Sequence, residues 1–504
     1  MRKIIRLLFN RNTLFVILLV VQILVLIMTI LFLSQHYLMV YGLLVAMNFL
    51  LMLCILNSPE NPSYKLPWLA AMLIVPLFAG LTYLLVKTDV GQRNLKKTYS
   101  RRLLETKPFL PHHAGIQTAL QAHFPEYAGL AQYLNAFGGY PLYRNRIADY
   151  FPEGEGMFES MKAEIHKARN YIFLEFFIIA EGNMWNEILR LLKEKAKNGV
   201  IIRILYDGFG TQFLMPSNYF ESLAEFGIEC RVFNRFKPFL SSSQNTRDHR
   251  KLLIIDGLTA FTGGINIADE YINEKLRFGY WKDGGMMCRG ESAWSFAVMF
   301  LQLWGELDLE QFQPEHLDFA ESDGFIQPFS DSPTDREYVG RNVYLDIISQ
   351  AKKYVYIMTP YLMPDNELIT ALGLASRKGI DVRIMTPHIP DKWYAYSTAW
   401  SYYRELLGEC VRIFEYTPGF IHAKNICADD NIAVVGTINL DYRSFYLHFE
   451  CAGVFYGGHM VQKVKDDFQE SLQHCTEITL KDCQERPIGK RILSFILRIF
   501  APLL

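Results

Sequence analysis

The sequence predicts an α/β protein with two copies of one α/β/α sandwich lobe, related by a pseudo-two-fold axis and preceded by N-terminal transmembrane helices. Three observations lead to this prediction. One short motif occurs twice, the sequence around the motif is also repeated, and the first 88 residues contain three long apolar runs. Only two copies, at a long spacing, are typical of a duplicated domain and not of a solenoid.

The repeated motif is found at residues 249–266 and 422–439, and both copies read H-x-K-x4-D-x6-G-[GT]-x-N. The shared positions are His249 and His422, Lys251 and Lys424, Asp256 and Asp429, Gly263 and Gly436, Gly264 and Thr437, and Asn266 and Asn439. A His and a Lys two positions apart on a strand point to the same side. An imidazole, an ammonium and an amide projecting from neighbouring points form a phosphate site with a built-in nucleophile.

The sequence upstream of each motif is repeated as well, since residues 168–174 match 351–357 and residues 197–205 match 377–385. Continuous apolar strands that alternate with helices indicate a buried sheet. Each copy is predicted to contain a helix, a strand, a second helix, a second strand and the motif strand. These are 157–169, 171–179, 185–198, 200–206 and 252–255 in the first copy, and 342–352, 354–359, 366–378, 380–386 and 425–428 in the second.

These patterns divide the chain into five parts. Residues 1–88 are predicted to be a membrane anchor and residues 89–138 a basic linker. Residues 139–325 form the first lobe and residues 326–483 the second. Residues 484–504 interleave basic and large apolar side chains, which predicts an amphipathic tail lying in the headgroup plane of a membrane. A terminal helix that packs on the second lobe is the alternative.

The anchor prediction rests on three apolar segments without charged side chains, residues 14–33, 38–56 and 67–86. A helix of about 20 residues spans roughly 30 Å, the thickness of the hydrocarbon core. The first segment is too long for a cleavable signal peptide, so an uncleaved multi-pass anchor in the plasma membrane is expected. Basic residues are densest just after the last segment, which favours a catalytic region on the cytoplasmic face. Basic residues also flank the first segment, so the number of crossings stays open.

Composition excludes several other classes of protein. The eight cysteines show no C-x-x-C spacing, which predicts scattered reduced thiols and neither a disulfide framework nor a structural metal. The formal net charge is −1. A nucleic-acid-binding protein usually carries a basic face, so no nucleic-acid partner is expected.

With the motifs in view, the chain resembles the phospholipase D superfamily, whose HKD signature they match, and within it the bacterial cardiolipin synthase family. The supporting phrases are Gly-Gly-Ile-Asn-Ile-Ala-Asp-Glu-Tyr at 263–271, Tyr-Trp-Lys-Asp at 280–283, Thr-Pro-Tyr-Leu-Met-Pro-Asp at 359–365 and Asn-Leu-Asp-Tyr-Arg-Ser at 439–444. The resemblance covers the chain from about residue 38 to its end. It implies that both lobes are phospholipase-D-like.

The residues themselves suggest two-step phosphoryl transfer. One His attacks phosphorus, and the other protonates the leaving alcohol and then deprotonates the incoming one. No metal or other cofactor is expected, because two lysines and two asparagines stabilise the developing charge. The motif is symmetric, so the residues alone do not decide which His forms the phosphohistidine.

The resemblance implies a role for each residue. His249 is expected to be the nucleophile, and His422 the general acid and base. Phosphate binding falls to Lys251, Lys424, Asn266 and Asn439, and orientation of the histidines falls to Glu450 together with either Glu270 or Asp283. Asp256 and Asp429 belong to the catalytic motif, but their places at the ends of strands indicate that they fix the adjacent turn.

The implied activity is cardiolipin synthesis, in which a phosphatidyl group moves from one phosphatidylglycerol to another and glycerol is released. The expected partners are therefore phosphatidylglycerol and other anionic phospholipids in a membrane. The alternatives are a membrane-bound phospholipase D hydrolase and a transferase that uses another alcohol. A nuclease is disfavoured by the charge balance, and a non-catalytic lipid scaffold by the intact motifs. The sequence does not indicate an oligomeric state.

Overall fold

The computed structural model describes residues 24, 28, 37–87, 90–145, 147–216, 218–235, 242–314 and 323–503. By contact density the chain divides into two compact units. The N-terminal unit contains the described residues up to Asn94, and the main unit contains most of the chain from Leu95 onward.

The N-terminal unit contains three helices, α1 (Tyr37–Leu56), α2 (Pro62–Ile74) and α3 (Pro76–Lys87). The Asn48 amide in α1 donates to the Met72 carbonyl in α2 at 3.0 Å. Trp68 and Tyr83 pack edge to face between α2 and α3. These contacts hold the three helices together as a small bundle.

The predicted apolar segments 14–33 and 67–86 do not appear in the structure as single long helices among the described residues. Segment 14–33 lies outside the described residues apart from positions 24 and 28. The prediction of one helix over 67–86 is wrong, because α2 ends before Val75 and α3 begins at Pro76. Proline has no N–H to donate and disfavours the helical conformation at the preceding residue, and Val75 accordingly has φ −135° and ψ 71°. Among the residues that the structure describes, no helix is long and apolar enough for a membrane crossing.

Beyond α3, helices and strands are interspersed along the rest of the chain. The helices are α4 (Val90–Thr106), α5 (Ile116–His123), α6 (Ala128–Tyr133), α7 (Gly154–Lys167), α8 (Asn183–Lys197), α9 (Tyr219–Ser222), α10 (Glu291–Trp304), α11 (Leu309–Phe312), α12 (Val339–Gln350), α13 (Asn366–Arg377), α14 (Trp393–Gly408), α15 (Tyr442–Tyr446), α16 (His459–Leu472), α17 (Leu480–Glu485) and α18 (Ile488–Ile499). The strands are β1 (Tyr143–Arg144), β2 (Ala148–Phe151), β3 (Tyr171–Phe176), β4 (Ile201–Asp207), β5 (Ile228–Phe233), β6 (Arg247–Asp248), β7 (Lys251–Ile255), β8 (Thr259–Gly263), β9 (Tyr280–Lys282), β10 (Gly285–Arg289), β11 (Phe325–Asp331), β12 (Tyr354–Met358), β13 (Asp381–Pro387), β14 (Arg412–Tyr416), β15 (Gly419–Ile421), β16 (Asn425–Ala428), β17 (Ile432–Gly436), β18 (His448–Tyr456) and β19 (Cys475–Ile478).

Two mixed sheets repeat one topology. The first sheet has the strand order β2-β10-β8-β7-β3-β4-β5, and the second contains the corresponding run β18-β17-β16-β12-β13-β14. In both, three neighbouring strands are parallel (β3, β4 and β5; β12, β13 and β14), and the motif strand lies antiparallel beside them. The predicted duplication is therefore confirmed by strand order, and each motif strand, β7 or β16, occupies the equivalent place.

One continuous hydrophobic core lies between the two sheets. It combines Leu252 and Met286 from the first sheet with Cys427 and Val435 from the second. Helix α10 belongs to this core, and all of its residues are buried. Helix α10 contacts β8 of the first sheet and β11 of the second, so it packs between the lobes and contributes to the core that they share.

The predicted linker, residues 89–138, is largely folded. It contains α4, α5 and α6, and Tyr99 in α4 belongs to the main core. Arg102 donates to the Gln302 carbonyl at 2.8 Å, so α4 is attached to α10. The first-lobe range 139–325 also differs from the structure, since β1 pairs with β11 in the second sheet. Sequence patterns did not predict these contacts because residues far apart in the chain make them.

The tail forms helix α18, which packs against α14. Arg498 pairs with Glu405 of α14, and Arg486 lies over the Trp400 ring at 4.5 Å. Ile488 and Phe495 on the other side of α18 are more than 70% exposed. The tail therefore packs on the second lobe along one face and presents apolar side chains to its surroundings along another.

Candidate active site

Two short parallel strand pairs join the lobes and position the site. Strand β6 pairs with β18 in a register that sets Phe449 opposite Asp248. Strand β9 pairs with β15 in a register that sets Lys282 opposite Ile421. One step further along each pair, a motif histidine meets an acidic residue of the other lobe.

The first of these meetings joins His249 to Glu450. The His249 amide donates to the Phe449 carbonyl at 2.9 Å, and its ring Nδ1 lies 2.9 and 3.0 Å from the two Glu450 carboxylate oxygens. Because a carboxylate accepts, Nδ1 carries the proton and Nε2 presents its lone pair. A carboxylate from the second lobe thus orients the histidine of the first lobe.

The second meeting joins His422 to Asp283 in the same way. The His422 amide donates to the Lys282 carbonyl at 2.6 Å, and Nδ1 of the ring lies 2.8 Å from Asp283 Oδ2. Both carboxylates are fully buried. Of the two predicted candidates in the first half, Asp283 therefore contacts a histidine. Glu270 instead forms an ion pair with Arg277 at 3.7 Å.

The motif lysines lie beside their histidines. Lys251 Nζ donates to the His249 carbonyl at 2.5 Å, and Lys424 Nζ donates to the His422 carbonyl. An ammonium has three donors, and among the described residues each lysine makes this one hydrogen bond. Both side chains are 1% exposed, so further donors face the protein interior or the cleft and are suited to phosphate oxygens.

Burial and the neighbouring lysine charges hold both imidazoles neutral at pH 7. Burial, and then the charges of Lys251, Lys424 and His422, place the pKa of His249 well below its usual value. Burial and Lys424 lower the pKa of His422 to about 4, although Asp283 opposes the shift. Groups of each motif perturb the other motif, which shows that the two motifs share one electrostatic site.

The pKa values of both lysines and of Asp283 are also lowered, for different reasons. Burial lowers the pKa of Lys251 to about 8 and that of Lys424 to about 7, against the attraction of nearby carboxylates. Burial alone raises the pKa of Asp283, but the His422 charge and hydrogen bond and the Lys424 charge outweigh it and hold this pKa below its usual value. Ionised Asp283 is therefore the stable form beside His422.

The two motif asparagines are not equivalent. Asn266 Oδ1 accepts from the Ile178 amide at 3.0 Å, and its Nδ2 donates to the Tyr271 hydroxyl at 2.8 Å. Asn439 Oδ1 is buried without a hydrogen-bond donor among the described residues. Asn266 thus already supports the first lobe, while phosphate binding by either amide remains a prediction.

The motif aspartates lie away from the imidazoles and fix turns. The Asp256 carboxylate accepts from the amides of residues 169, 170 and 171 at 2.7–2.8 Å. The Asp429 carboxylate accepts from the amides of residues 352, 353 and 354 at 2.6–3.0 Å. Both have positive φ, 53° and 55°. Each one therefore ties the end of a motif strand to the start of the neighbouring strand, which is the structural role expected from its position.

Two glycines of the motifs, Gly264 and Gly436, are closely approached by other parts of the protein. A Cβ on Gly264 would lie 2.0 Å from Asp283 Oδ1 and 2.8 Å from the His422 carbonyl. A Cβ on Gly436 would lie 2.3 Å from the Ala452 Cβ. Glycine is needed at these two positions because the second motif and strand β18 approach the backbone closely.

Sequence reasoning missed several supporting contacts. Thr437 donates its hydroxyl to Glu450 Oε2 at 2.5 Å, and the Trp281 indole donates to Asp283 Oδ2 at 3.1 Å. The only available signal was that Thr437 replaces a glycine of the first motif. Trp281 also packs beside the site, since the centroid of its ring lies 5.1 Å from that of the His422 ring.

His448 is a third imidazole in the site. Its Nδ1 is 3.5 Å from Glu450 Oε1, and its ring centroid is 5.3 Å from that of His249. Ligand atoms of His249, His448 and Glu450 lie within 4.8 Å of one another, a spacing that a metal ion could use. Glu450 lies 2.9 Å from His249 Nδ1, which accounts for the close approach of these groups.

Comparison with known proteins agrees with this geometry. Residues 161–277 and 344–472 match the family described as cardiolipin synthase, PLD-like domain. An uncharacterised protein of Streptococcus mutans is 43% identical over 90% of this chain and 99% of its own length. A cardiolipin synthase of Alkalihalophilus pseudofirmus is 33% identical over 88% of this chain and 90% of its own length.

A solved structure shares the fold. Phosphatidylserine synthase of Haemophilus influenzae superposes with a TM-score of 0.56 at 13% identity, over 74% of this chain and 97% of that one. The sequence match over both lobes, together with the crossed histidine–carboxylate pairs, places the chain in the cardiolipin synthase family of phospholipase-D-like proteins.

Proposed function

We propose that this chain is a phosphatidyltransferase that converts two molecules of phosphatidylglycerol into cardiolipin and glycerol. The observation that carries the proposal is the pair of buried imidazoles, each bound through Nδ1 to a carboxylate of the other lobe. This arrangement leaves two Nε2 atoms for a nucleophile and a proton carrier. Membership of the cardiolipin synthase family supplies the lipid substrates.

In the first step, His249 Nε2 attacks phosphorus and the bond from phosphorus to the glycerol oxygen breaks. His422 takes up a proton from water at Nε2 when the anionic substrate binds, and gives this proton to the departing oxygen. An anionic phosphodiester beside Lys251 and Lys424 raises the proton affinity of His422, because its charge offsets the cations that lower this affinity in the empty site. The two ammonium groups stabilise the charge that develops on the phosphoryl oxygens.

In the second step, a hydroxyl of another phosphatidylglycerol gives its proton to His422 and attacks the phosphohistidine. The P–N bond breaks, and the His249 lone pair is restored. One phosphodiester replaces another, so the reaction is close to thermoneutral and needs no nucleotide. Water must be excluded, since attack by water instead would release phosphatidic acid.

The exposed face of α18 supports action at a lipid surface. Ile488, Ile492 and Phe495 are each more than half exposed, and Lys490 and Arg491 are exposed beside them. Basic and large apolar side chains on one helix are suited to the headgroup boundary of an anionic membrane. We place the lobes on the cytoplasmic face of the cell membrane, because the basic residues that follow the last N-terminal segment favour that side.

The test is product analysis with labelled phosphatidylglycerol and the full-length protein in membranes. Cardiolipin and free glycerol are expected, and His249→Ala and His422→Ala should each abolish both products while leaving the protein in the membrane. Phosphatidic acid as the sole lipid product would instead identify a hydrolase. Undiminished cardiolipin formation by both variants would remove these histidines from the reaction. Absence of any lipid product from the wild-type protein would favour a scaffold.

A further inference from the structure

The two motif histidines lie at one edge of their sheets. Strand β7 is antiparallel to β3 and sets Lys251 opposite Phe176, and β16 is antiparallel to β12 and sets Asn425 opposite Met358. Each histidine comes just before its motif strand, so it lies at the carboxyl end of β3 or β12. The loops that leave β4 and β13 begin at this same edge, because β4 is parallel to β3 and β13 is parallel to β12.

Three segments border the site at this edge, and together we call them the rim: residues 208–216, 273–279 and 388–393. The first segment packs beside His249. A Cβ on Gly210 would lie 2.1 Å from the Phe177 carbonyl oxygen, and the centroid of the Phe177 ring is 5.2 Å from that of His249.

The other two rim segments lie together beside His422. A Cβ on Gly279 would lie 3.2 Å from Ile389 Cδ1. Segment 273–279 leads directly into β9, where the centroid of the Trp281 ring is 5.1 Å from that of His422. Both lobes therefore contribute to a rim that borders both imidazoles.

The rim exposes large apolar side chains. The exposed ones are Phe209, Phe213, Leu214, Leu276, Ile389 and Trp393. Leu276 is 72% exposed and Trp393 is 63% exposed, and segment 208–216 contains no charged residue. Exposed apolar side chains that surround a site indicate a binding surface.

Basic side chains accompany the apolar ones. The rim contains Lys275, Arg277 and Lys392. Two of these flank Leu276, and the third precedes Trp393. The two acidic side chains of the rim, Glu274 and Asp391, already accept hydrogen bonds from other side chains of the protein. Large apolar groups with basic neighbours are suited to the headgroup boundary of an anionic bilayer, where tryptophan is enriched.

We propose that the rim docks on the surface of an anionic bilayer, with its apolar side chains in the headgroup boundary and its basic side chains at lipid phosphates. The inference rests on the proposed function, since it takes the substrates to be bilayer lipids. Docking lets a headgroup enter the site while its acyl chains stay in lipid. Helix α14 begins at Trp393 and packs against α18, so one helix joins the rim to the tail.

Tryptophan fluorescence tests the docking without reference to turnover. Full-length protein is reconstituted in phosphatidylglycerol vesicles with and without bromine atoms on the acyl chains, which quench a nearby indole. The Trp393 emission is the difference between the wild type and Trp393→Phe. Bromine should quench this emission, and equal Trp393 emission in the two kinds of vesicle would overturn the proposal.

Rates with two substrates measure what docking contributes. The double variant Leu276→Ser/Trp393→Ser should form cardiolipin in the vesicles about 10- to 100-fold more slowly, the effect of no longer burying two large apolar side chains. Release of p-nitrophenol from a short-chain, water-soluble phosphodiester should not fall, because this substrate does not come from the bilayer. A fall in both rates alike, or in neither, would contradict the docking.

Leu374→Ser is the matched control, because Leu374 is 59% exposed in the last turn of α13, which leads to the opposite edge of the sheet. It should leave both rates as in the wild type. A wild-type dimer that the double variant loses, with no quenching of Trp393, would assign the rim to a second copy of the chain and overturn the proposal. Quenched Trp393 without cardiolipin formation would contradict the proposed function while the docking stands.

Discussion

The two halves of the active site have the same backbone arrangement but differ in the side chains that surround each carboxylate. In each half, a parallel strand pair between the lobes sets a histidine opposite a buried carboxylate. Glu450 is supported by the Thr437 hydroxyl and has His448 as a neighbour. Asp283 is supported by the Trp281 indole and by the Gly284 amide at 2.9 Å.

This difference shows how a symmetric duplication can yield two chemically distinct imidazoles. The Asp283 charge and hydrogen bond work against the lowering of the His422 pKa, which is about 4. For His249, burial and the charges of Lys251 and Lys424 dominate, and its pKa lies well below the usual value. Asp283 thus favours a proton on His422, the residue proposed above as the proton carrier.

Replacing the histidines should cause the largest loss of turnover and should distinguish the two halves most clearly. His249→Ala removes the nucleophile and should lower turnover by about 10⁴-fold or more. His422→Ala removes acid–base catalysis and should cost about 10²- to 10⁴-fold with phosphatidylglycerol. In a phosphodiester substrate with p-nitrophenol as the leaving group, the leaving oxygen needs no proton. This substrate should therefore restore phosphohistidine formation in His422→Ala only. Rapid-quench trapping of the phosphoenzyme measures this, and rescue of His249→Ala instead would reverse the two roles.

Replacing the carboxylates should reveal that they act across the lobes. Glu450→Gln and Asp283→Asn keep the side-chain shape but lose the charge that fixes the tautomer, and each should lower kcat by about 10²- to 10⁴-fold. With the p-nitrophenyl ester, Asp283→Asn should recover as His422→Ala does, while Glu450→Gln should stay impaired. The opposite pattern would mean that each carboxylate serves the histidine of its own lobe. Thr437→Ser, which keeps the hydroxyl, is the control for packing effects near Glu450.

The lysines should give a smaller, pH-dependent effect that is stronger in the second half. A lysine is charged below its pKa, so Lys424, with a pKa of about 7, loses charge as the pH rises through 7. In the free enzyme kcat/KM should fall by about fivefold between pH 7 and 8. Bound phosphodiester raises this pKa, so kcat should fall only at higher pH.

Initial rates over pH 5.5 to about 9.5 at saturating and low substrate test this expectation. Lys424→Arg should move the alkaline limb of kcat/KM upward, because a guanidinium stays charged. Lys251→Arg should move it less, since the pKa of Lys251 is already about 8. Alkaline limbs of kcat and kcat/KM that coincide in the wild type would rule out lysine charge as the cause.

Replacing the motif aspartates should have the smallest effect on activity, and the effect should be equal in the two halves. Asp256→Asn and Asp429→Asn weaken three backbone hydrogen bonds each, and each should lower the free energy of unfolding by about 1–3 kcal/mol. Thermal unfolding of the full-length variants measures this loss. Activity per folded molecule at low temperature should stay near that of the wild type, and a large loss of kcat at unchanged stability would return these aspartates to catalysis.

Local patterns predicted the elements of both lobes well. The motif strands begin within one residue of their expected starts, and the helices and strands before them lie within a few residues of their predicted ranges. The continuous helix over 67–86 was wrong because the effect of Pro76 on its neighbour outweighs apolar character. The linker prediction failed because Arg102 contacts Gln302, 200 positions away, and Tyr99 packs on Phe449 elsewhere in the chain.

Sequence patterns alone predicted the duplication, the four basic groups His249, His422, Lys251 and Lys424, and the family. Each of these follows from residue identity and spacing along one stretch of chain. The fold was needed to show that Asp283 and not Glu270 contacts a histidine, and that each carboxylate contacts the histidine of the opposite lobe. The physical reason is that strand register between lobes depends on packing across the shared core, and no spacing within either motif encodes that register.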